Sequence, residues 1–127
     1  MARVLVVDDD PLVRETVALA LERAKHEVRR AADGLQALDM LSAAPADLVI
    51  SDIIMPEVDG IGLLLAMRKR HPPLKVVAMS GGGRTRNMDF LRMAEALGAH
   101  ATLPKPFTPE QLLAAVAAAL KAPDKKA

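Results

Sequence analysis

Side chains suited to metal and phosphate chemistry occur at four separate places in this 127-residue sequence. They are the carboxylates of Asp8, Asp9, Asp10 and Asp52, the hydroxyl of Ser80 and the ammonium group of Lys105. Each place directly follows a short apolar run. If these runs are parallel strands of one sheet, their carboxyl ends bring the polar groups to a common edge, where ligands bind in open α/β sheets.

Such a cluster could bind a cation and a phosphoryl group. Carboxylates held about 4 Å apart repel each other by about 4 kcal/mol per pair at an effective dielectric of about 20, so a counter-ion is needed. With no Cys and no suitably placed His, the oxygen ligands favour Mg²⁺. Lys105 and Ser80 could then bind phosphoryl oxygens, and one carboxylate could act as the nucleophile and form an acyl phosphate.

The apolar pattern predicts five strands that alternate with helices, which is typical of an α/β protein with a parallel sheet. The predicted strands are Arg3–Val7, Glu27–Ala31, Leu48–Ser51, Lys75–Met79 and Ala101–Leu103. The first, third and fourth are almost wholly apolar, as expected for central strands covered on both faces, whereas EVRRA suits an edge. We therefore expect the first strand near the middle of the sheet.

Two helix starts carry strong local signals. Asp10 is predicted to cap a helix that begins at Pro11. Thr108 is predicted to cap the last helix, with Pro109 at its first position and Gln111 completing a capping box. Apolar residues at helical spacing predict the buried stripes, for example Leu112, Val116, Ala119 and Leu120 in the last helix.

Composition excludes several classes of function. The chain has the length of one domain, and its net charge of +1 gives no overall attraction to nucleic acid or to an anionic membrane. The absence of Cys excludes disulfides and thiolate catalysis and is compatible with a reducing cytoplasm. The acids after RVLVV end the only early apolar run, so neither a signal peptide nor a membrane span is predicted. His26, His71 and His100 are scattered, and we interpret them as structural.

The motifs VVDDD, DIIMPEVDG, MSGG and LPKPF, in this order and spacing, resemble the receiver domain of two-component response regulators of the stand-alone chemotaxis-regulator type. The resemblance covers the chain from Ala2 to about Lys121. It implies that Asp52 is the phosphoacceptor, that Ser80 is the switch hydroxyl and that Lys105 pairs with the phosphoryl group. It also implies a Mg²⁺ site formed by Asp8, Asp9, Asp52 and the carbonyl of Ile54, and a cis peptide between Lys105 and Pro106.

The resemblance also implies the architecture and the partners. The expected fold is a flavodoxin-like (βα)5 three-layer sandwich whose parallel sheet has the order 2-1-3-4-5, with a receiver over residues 1–121 and a charged tail over 122–127. The expected phosphodonor is a sensor histidine kinase or a histidine phosphotransfer protein. We expect a cytoplasmic monomer or weak dimer that binds a downstream protein through helix 4, strand 5 and helix 5, without contact to DNA or a membrane.

Three features depart from the family pattern. Thr102 stands three positions before the lysine, where an aromatic residue is usual, so switching is expected to depend on the loop after Ser80. That loop, GGGRTRN, is about three residues longer than is usual in the family. Ile54 and Gly82 replace polar groups that commonly tune dephosphorylation, which leaves little to orient an attacking water.

Other interpretations remain open at this stage. Asp8 and Asp9 could form only a strand-end turn, and Asp52 alone could be an ordinary turn acid. A haloacid-dehalogenase-like phosphatase would also use an aspartate nucleophile, here Asp8, with Asp10 completing its opening motif. A pseudo-receiver would keep the fold without phosphorylation. A flavin-binding protein is disfavoured because the first loop is acidic and the sequence has no Trp or Tyr to stack on the ring.

Overall fold

Five parallel strands form a single sheet in the computed structural model, which describes residues 2–52, 60–80 and 92–123. The strands are β1 (Arg3–Val7), β2 (Glu27–Ala31), β3 (Leu48–Asp52), β4 (Lys75–Ser80) and β5 (Ala101–Pro104). Their order is β2-β1-β3-β4-β5, and every neighbouring pair is parallel. The predicted class and strand order are therefore confirmed.

Burial explains which strands lie in the centre. Within β1, β3 and β4 all residues are buried except the first residue of β1 and of β4, whereas β2 is mostly half-buried and lies at an edge. The charged EVRRA run can occupy that edge because its arginines reach solvent or neighbouring polar groups. Strands β3, β4 and β5 each extend one residue beyond the predicted end, to Asp52, Ser80 and Pro104.

Helices connect the strands and cover both faces of the sheet. Their bounds are α1 (Pro11–Arg23), α2 (Gly34–Ala43), α3 (Gly60–Arg70) and α5 (Pro109–Lys121), and residues 92–96 are the described part of α4. Asp10 caps α1 by accepting a hydrogen bond from the Leu12 amide. Thr108 and Gln111 form the capping box of α5, so both predicted helix starts are confirmed.

Successive side chains of each strand point to opposite faces of the sheet, which divides the core into two layers. Val4 and Val6 of β1 pack with buried residues of α1 and α5, whereas Leu5 and Val7 pack with α2, α3 and α4. Successive side chains of a strand point to opposite faces, so a wholly apolar strand requires helices on both sides. The result is the expected three-layer arrangement. No helix in the described ranges is long and apolar enough to span a membrane.

A buried arginine was not predicted from the sequence. Arg68, near the end of α3, is 3% exposed and donates hydrogen bonds to the carbonyl oxygens of Leu74 and Pro72. Gly98, in the turn between α4 and β5, has φ +117° and lies against this side chain. A Cβ atom at Gly98 would stand 3.1 Å from Cδ of Arg68. Arg68 therefore supports two loops at once.

Candidate functional site

Three carboxylates meet at the carboxyl-terminal edge of the sheet. Asp8 is fully buried and Asp52 is 6% exposed, whereas Asp9 is exposed. One carboxylate oxygen from each of the three lies within 4.8 Å of the others. The sequence predicted this grouping from strand ends alone, and the structure brings these three acids together.

The sheet register explains why the acids meet. Val7 of β1 is paired with Ser51 of β3, so Asp8 and Asp52 are the next residues along two adjacent parallel strands. Asp8 also continues the backbone ladder, because its amide donates to the carbonyl oxygen of Ala31 at 3.2 Å. Backbone pairing thus holds the two acids side by side, although their carboxylates would repel each other.

Lys105 lies between the two buried acids. Its Nζ atom donates to Oδ2 of Asp8 at 2.9 Å and to Oδ2 of Asp52 at 3.0 Å. Its amide donates to the carbonyl oxygen of Ser80 at 2.7 Å, and the peptide to Pro106 is cis, as predicted. Burial lowers the pKa of Lys105, but the hydrogen bonds to Asp8 and Asp52 and the negative charges of these acids together raise it by more, so the pKa lies above its usual value.

The loop from Asp8 to Asp10 is ordered by its own polar groups. Oδ1 of Asp8 accepts a hydrogen bond from the Asp10 amide at 2.9 Å. Oδ1 of Asp10 accepts from the Leu12 amide at 2.9 Å. Asp10 is therefore engaged as a helix cap, and it is not among the three acids that cluster.

Ser80 ends β4 beside the same edge. It is 1% exposed and is paired in register with Pro104, the residue before Lys105. Its Oγ atom is buried and has no hydrogen-bond partner within the described parts of the chain. A buried hydroxyl without a partner is costly, so a ligand oxygen that accepted from it would remove that cost.

The donor set is chemically suited to Mg²⁺. Asp8, Asp9 and Asp52 supply hard oxygen ligands, and no thiolate is available anywhere in the sequence. The three carboxylates exceed the charge that the ammonium group of Lys105 can offset, and a divalent cation would reduce the excess. The residues present therefore fit the metal that the sequence predicted.

Several predicted positions lie outside the described residues. These are Ile54, Gly82 and the GGGRTRN loop. Thr102 is half-buried on β5, at the position where the family usually has an aromatic residue. His26 and His100 each accept a hydrogen bond from a backbone amide through Nδ1, in agreement with a structural interpretation.

Arg14 is a neighbour of the site that was not predicted from the sequence. It lies in the second turn of α1, is half-buried, and donates from Nη1 to the carbonyl oxygen of Asp8 at 2.8 Å. Its position six residues after Asp8 was the available signal, because a helix that begins at Pro11 returns its early side chains toward the preceding strand end.

Three curated relatives of similar sequence are longer than this chain. The sensor kinase CckA of Brucella abortus (strain 2308) is 37% identical over 125 residues, which are 97% of this chain and 13% of the relative. The transcriptional regulator NtrC of Bradyrhizobium sp. (strain RP501 Parasponia) is 36% identical over 97% of this chain and 25% of its own length. The response regulator MprA of Mycobacterium avium (strain 104) is 36% identical, and the chain spans 51% of it.

Solved structures of similar size have the same fold. The receiver domain of NtrX from Brucella abortus superposes with a TM-score of 0.87 at 35% identity, covering 94% of this chain and 99% of that one. The chemotaxis protein CheY4 of Vibrio cholerae superposes with a TM-score of 0.83 at 33% identity, covering 94% and 98%. The response regulator receiver domain profile matches residues 4–117. The chain belongs to the response regulator receiver domain family.

Proposed function

We propose that this receiver is a phosphorylation switch in which Asp52 accepts a phosphoryl group from a phosphohistidine on a sensor histidine kinase or a histidine phosphotransfer protein. One observation carries the proposal: Asp8, Asp9 and Asp52 meet at one sheet edge with Lys105 bound between the two buried acids. A structural role alone does not account for this arrangement, because the one ammonium group of Lys105 offsets only part of the charge of three clustered carboxylates.

In the proposed reaction, a carboxylate oxygen of Asp52 attacks phosphorus in line. The new oxygen–phosphorus bond forms as the phosphorus–nitrogen bond to the donor imidazole breaks, and the electron pair leaves on that nitrogen. Lys105 stays within reach of Asp52 and offsets the charge of a phosphoryl oxygen. The Ser80 hydroxyl donates to another phosphoryl oxygen and so gains a hydrogen-bond partner, which it lacks among the residues that the structure describes.

The metal in this proposal is Mg²⁺, held by Asp8, Asp9, Asp52 and the carbonyl of Ile54. When bound, it supplies positive charge that offsets the carboxylates and the incoming phosphoryl group. The family pattern implies Asp9 as a direct ligand and Asp8 as a ligand that acts mainly through water, and Asp9 is the exposed acid of the three.

The proposed output is a changed protein-binding surface rather than turnover of a substrate. The chain would catalyse its own phosphorylation and its slow dephosphorylation, and would bind a downstream protein through α4, β5 and α5. Because Thr102 cannot act as an aromatic reporter, we assign the switching movement to the loop after Ser80.

The alternative of a phosphatase with Asp8 as nucleophile is disfavoured by three hydrogen bonds. Both oxygens of Asp8 accept hydrogen bonds, from the Asp10 amide and from Lys105. The second acid of that motif, Asp10, caps α1. A pseudo-receiver is disfavoured because the acids, the hydroxyl and the lysine are all present.

Phosphorylation by acetyl phosphate tests the proposal. With Mg²⁺, intact mass spectrometry should show one added phosphoryl group on the wild-type protein, none on Asp52→Asn, and none on the wild-type protein in EDTA. The matched control is Asp39→Asn, which changes an exposed acid of α2 and should label normally. Equal labelling of Asp52→Asn and wild type would refute the assignment of Asp52. An unlabelled wild-type protein that also fails to bind Mg²⁺ would support the pseudo-receiver.

A further inference from the structure

Arg14 contacts the backbone of the acidic loop rather than its carboxylates. Its Nη1 atom donates to the carbonyl oxygen of Asp8 at 2.8 Å, although carboxylates are the stronger acceptors. Its own amide donates to the carbonyl oxygen of Asp10 at 2.9 Å as part of α1. Arg14 therefore joins the first part of α1 to the end of β1 and closes the loop between them.

The bonded carbonyl controls the direction of the next residue. The carbonyl of Asp8 belongs to the planar peptide unit that leads into Asp9, so fixing its oxygen fixes the orientation of the whole unit. The other polar groups of Asp8 are held by Ala31, Asp10 and Lys105. Arg14 supplies the contact that orients the peptide on the side of Asp9.

Asp9 depends on this backbone contact more than its neighbours do. Asp8 and Asp52 are buried and bonded to Lys105, whereas Asp9 is exposed and its carboxylate has no hydrogen bond within the described ranges. The place of the Asp9 carboxylate is thus set by its backbone. We propose that Arg14 is a positioning residue that holds the Asp8–Asp9 peptide so that Asp9 is placed to bind Mg²⁺.

The positive charge of Arg14 and its hydrogen bond to the Asp8 carbonyl predict opposite changes in Mg²⁺ affinity when Arg14 is removed. A positive charge beside the site repels Mg²⁺, so removing the charge alone would tighten metal binding. Loss of the hydrogen bond to the Asp8 carbonyl would instead weaken binding, because residues that orient metal ligands typically contribute about 10- to 100-fold to affinity. The inference rests on the proposed Mg²⁺ site and assigns the larger effect to position.

Isothermal titration calorimetry of Mg²⁺ provides the test, since the protein has no Trp or Tyr for a fluorescence assay. Arg14→Met should raise the dissociation constant about 10-fold, and Arg14→Lys, which keeps one donor at a shorter reach, should fall between Arg14→Met and wild type. The matched control is Arg23→Met, which removes an exposed arginine from the last turn of the same helix and should bind like wild type.

A double-variant cycle shows whether the effect acts through Asp9. In an Asp9→Asn background, Arg14→Met should weaken Mg²⁺ binding little further, since the ligand that it positions is already lost. A structural weakening of the whole site would instead add to the Asp9→Asn loss. Melting in EDTA shows whether each variant is folded, and if Arg14→Met unfolds, the comparison of Arg14→Lys with wild type decides.

The outcomes separate this inference from the proposed function. If the wild-type protein does not bind Mg²⁺, the proposed metal site itself is wrong. If wild type binds Mg²⁺ and Arg14→Met binds it equally well or more tightly, the site stands and the positioning role is overturned. The positioning role is also overturned if Arg14→Lys binds like wild type when Arg14→Met cannot be folded, or if the two losses add in the double variant.

Discussion

At the scale of single residues, Lys105 supplies the positive charge that offsets the two buried acids of the site. Its ammonium group lies about equally far from Asp8 and Asp52, and its side chain is 16% exposed. Breaking such a buried pair by removing one partner is costly, because the remaining charges are left buried without compensation. The lysine therefore stabilises the site before any cation or phosphoryl group binds.

We predict that Lys105→Met lowers the free energy of unfolding in EDTA by about 3 kcal/mol, because Asp8 and Asp52 lose their cation. Mg²⁺ should restore part of this loss. Urea unfolding with and without Mg²⁺ measures both effects. The control is Lys69→Met, which removes an exposed lysine of α3 and should change stability little.

The contacts of Lys105 with Asp8 and Asp52 also predict that stability depends on pH. The pKa of Lys105 is raised in the folded protein, so its contribution is complete below the ordinary value of 10.5 and is lost as pH rises through the folded value. The stability difference between wild type and Lys105→Met should be constant at neutral and mildly alkaline pH and shrink above pH 10.5. A difference that instead grew with alkaline pH would contradict the assigned pairing.

The positions of the site residues could be predicted because they depend on local patterns. Asp8, Asp52 and Lys105 each follow an apolar run, and parallel strands place such residues at one edge. The particular atoms that Arg14 and Arg68 contact could not be predicted in the same way. An arginine on a helix is usually solvated, and only the folded chain shows which carbonyl oxygens it reaches.

At the scale of elements, the turn between α4 and β5 depends on the end of α3. Gly98 has a positive φ and lies against Arg68, whose guanidinium group binds the loop before β4. The α3 end, the loop before β4 and the turn before β5 therefore form one packed unit. This unit adjoins α4 and β5, two parts of the proposed output surface.

We predict that Gly98→Ala destabilises the protein by about 1 to 3 kcal/mol, because the new Cβ atom would press on Arg68 and because alanine disfavours the positive φ. Thermal or urea unfolding measures the change. Ser42→Ala, at an exposed position of α2, is the matched control and should have little effect. Unchanged stability of Gly98→Ala would show that the turn can relax without strain.

The elements themselves were predicted closely. Each strand agrees with its sequence prediction to within one residue. For β1, β3 and β4 the signal was a short apolar run, as expected for central strands covered on both faces. The two capped helix starts were also correct, since capping depends on side chains adjacent in sequence. The tight turn at Gly98 was not predicted, because its need for glycine comes from Arg68, thirty residues earlier.

At the scale of the whole molecule, the net charge of +1 conceals an uneven distribution. Asp8, Asp9 and Asp52 concentrate negative charge at one sheet edge, where Lys105 offsets only part of it. Elsewhere, acids and bases are paired on the surface, as Arg30 is with Glu15 and Glu22. The overall balance therefore gives no indication of a site that is strongly acidic.

The central claim is that the phosphoryl group is carried by Asp52, at the end of β3. The most direct measurement is to phosphorylate the wild-type protein, reduce it with borohydride, which converts an aspartyl phosphate to homoserine, and locate the converted residue by peptide mass spectrometry. We predict conversion at position 52 and dependence of that conversion on Mg²⁺. Conversion at position 8 would contradict this claim and favour the phosphatase alternative.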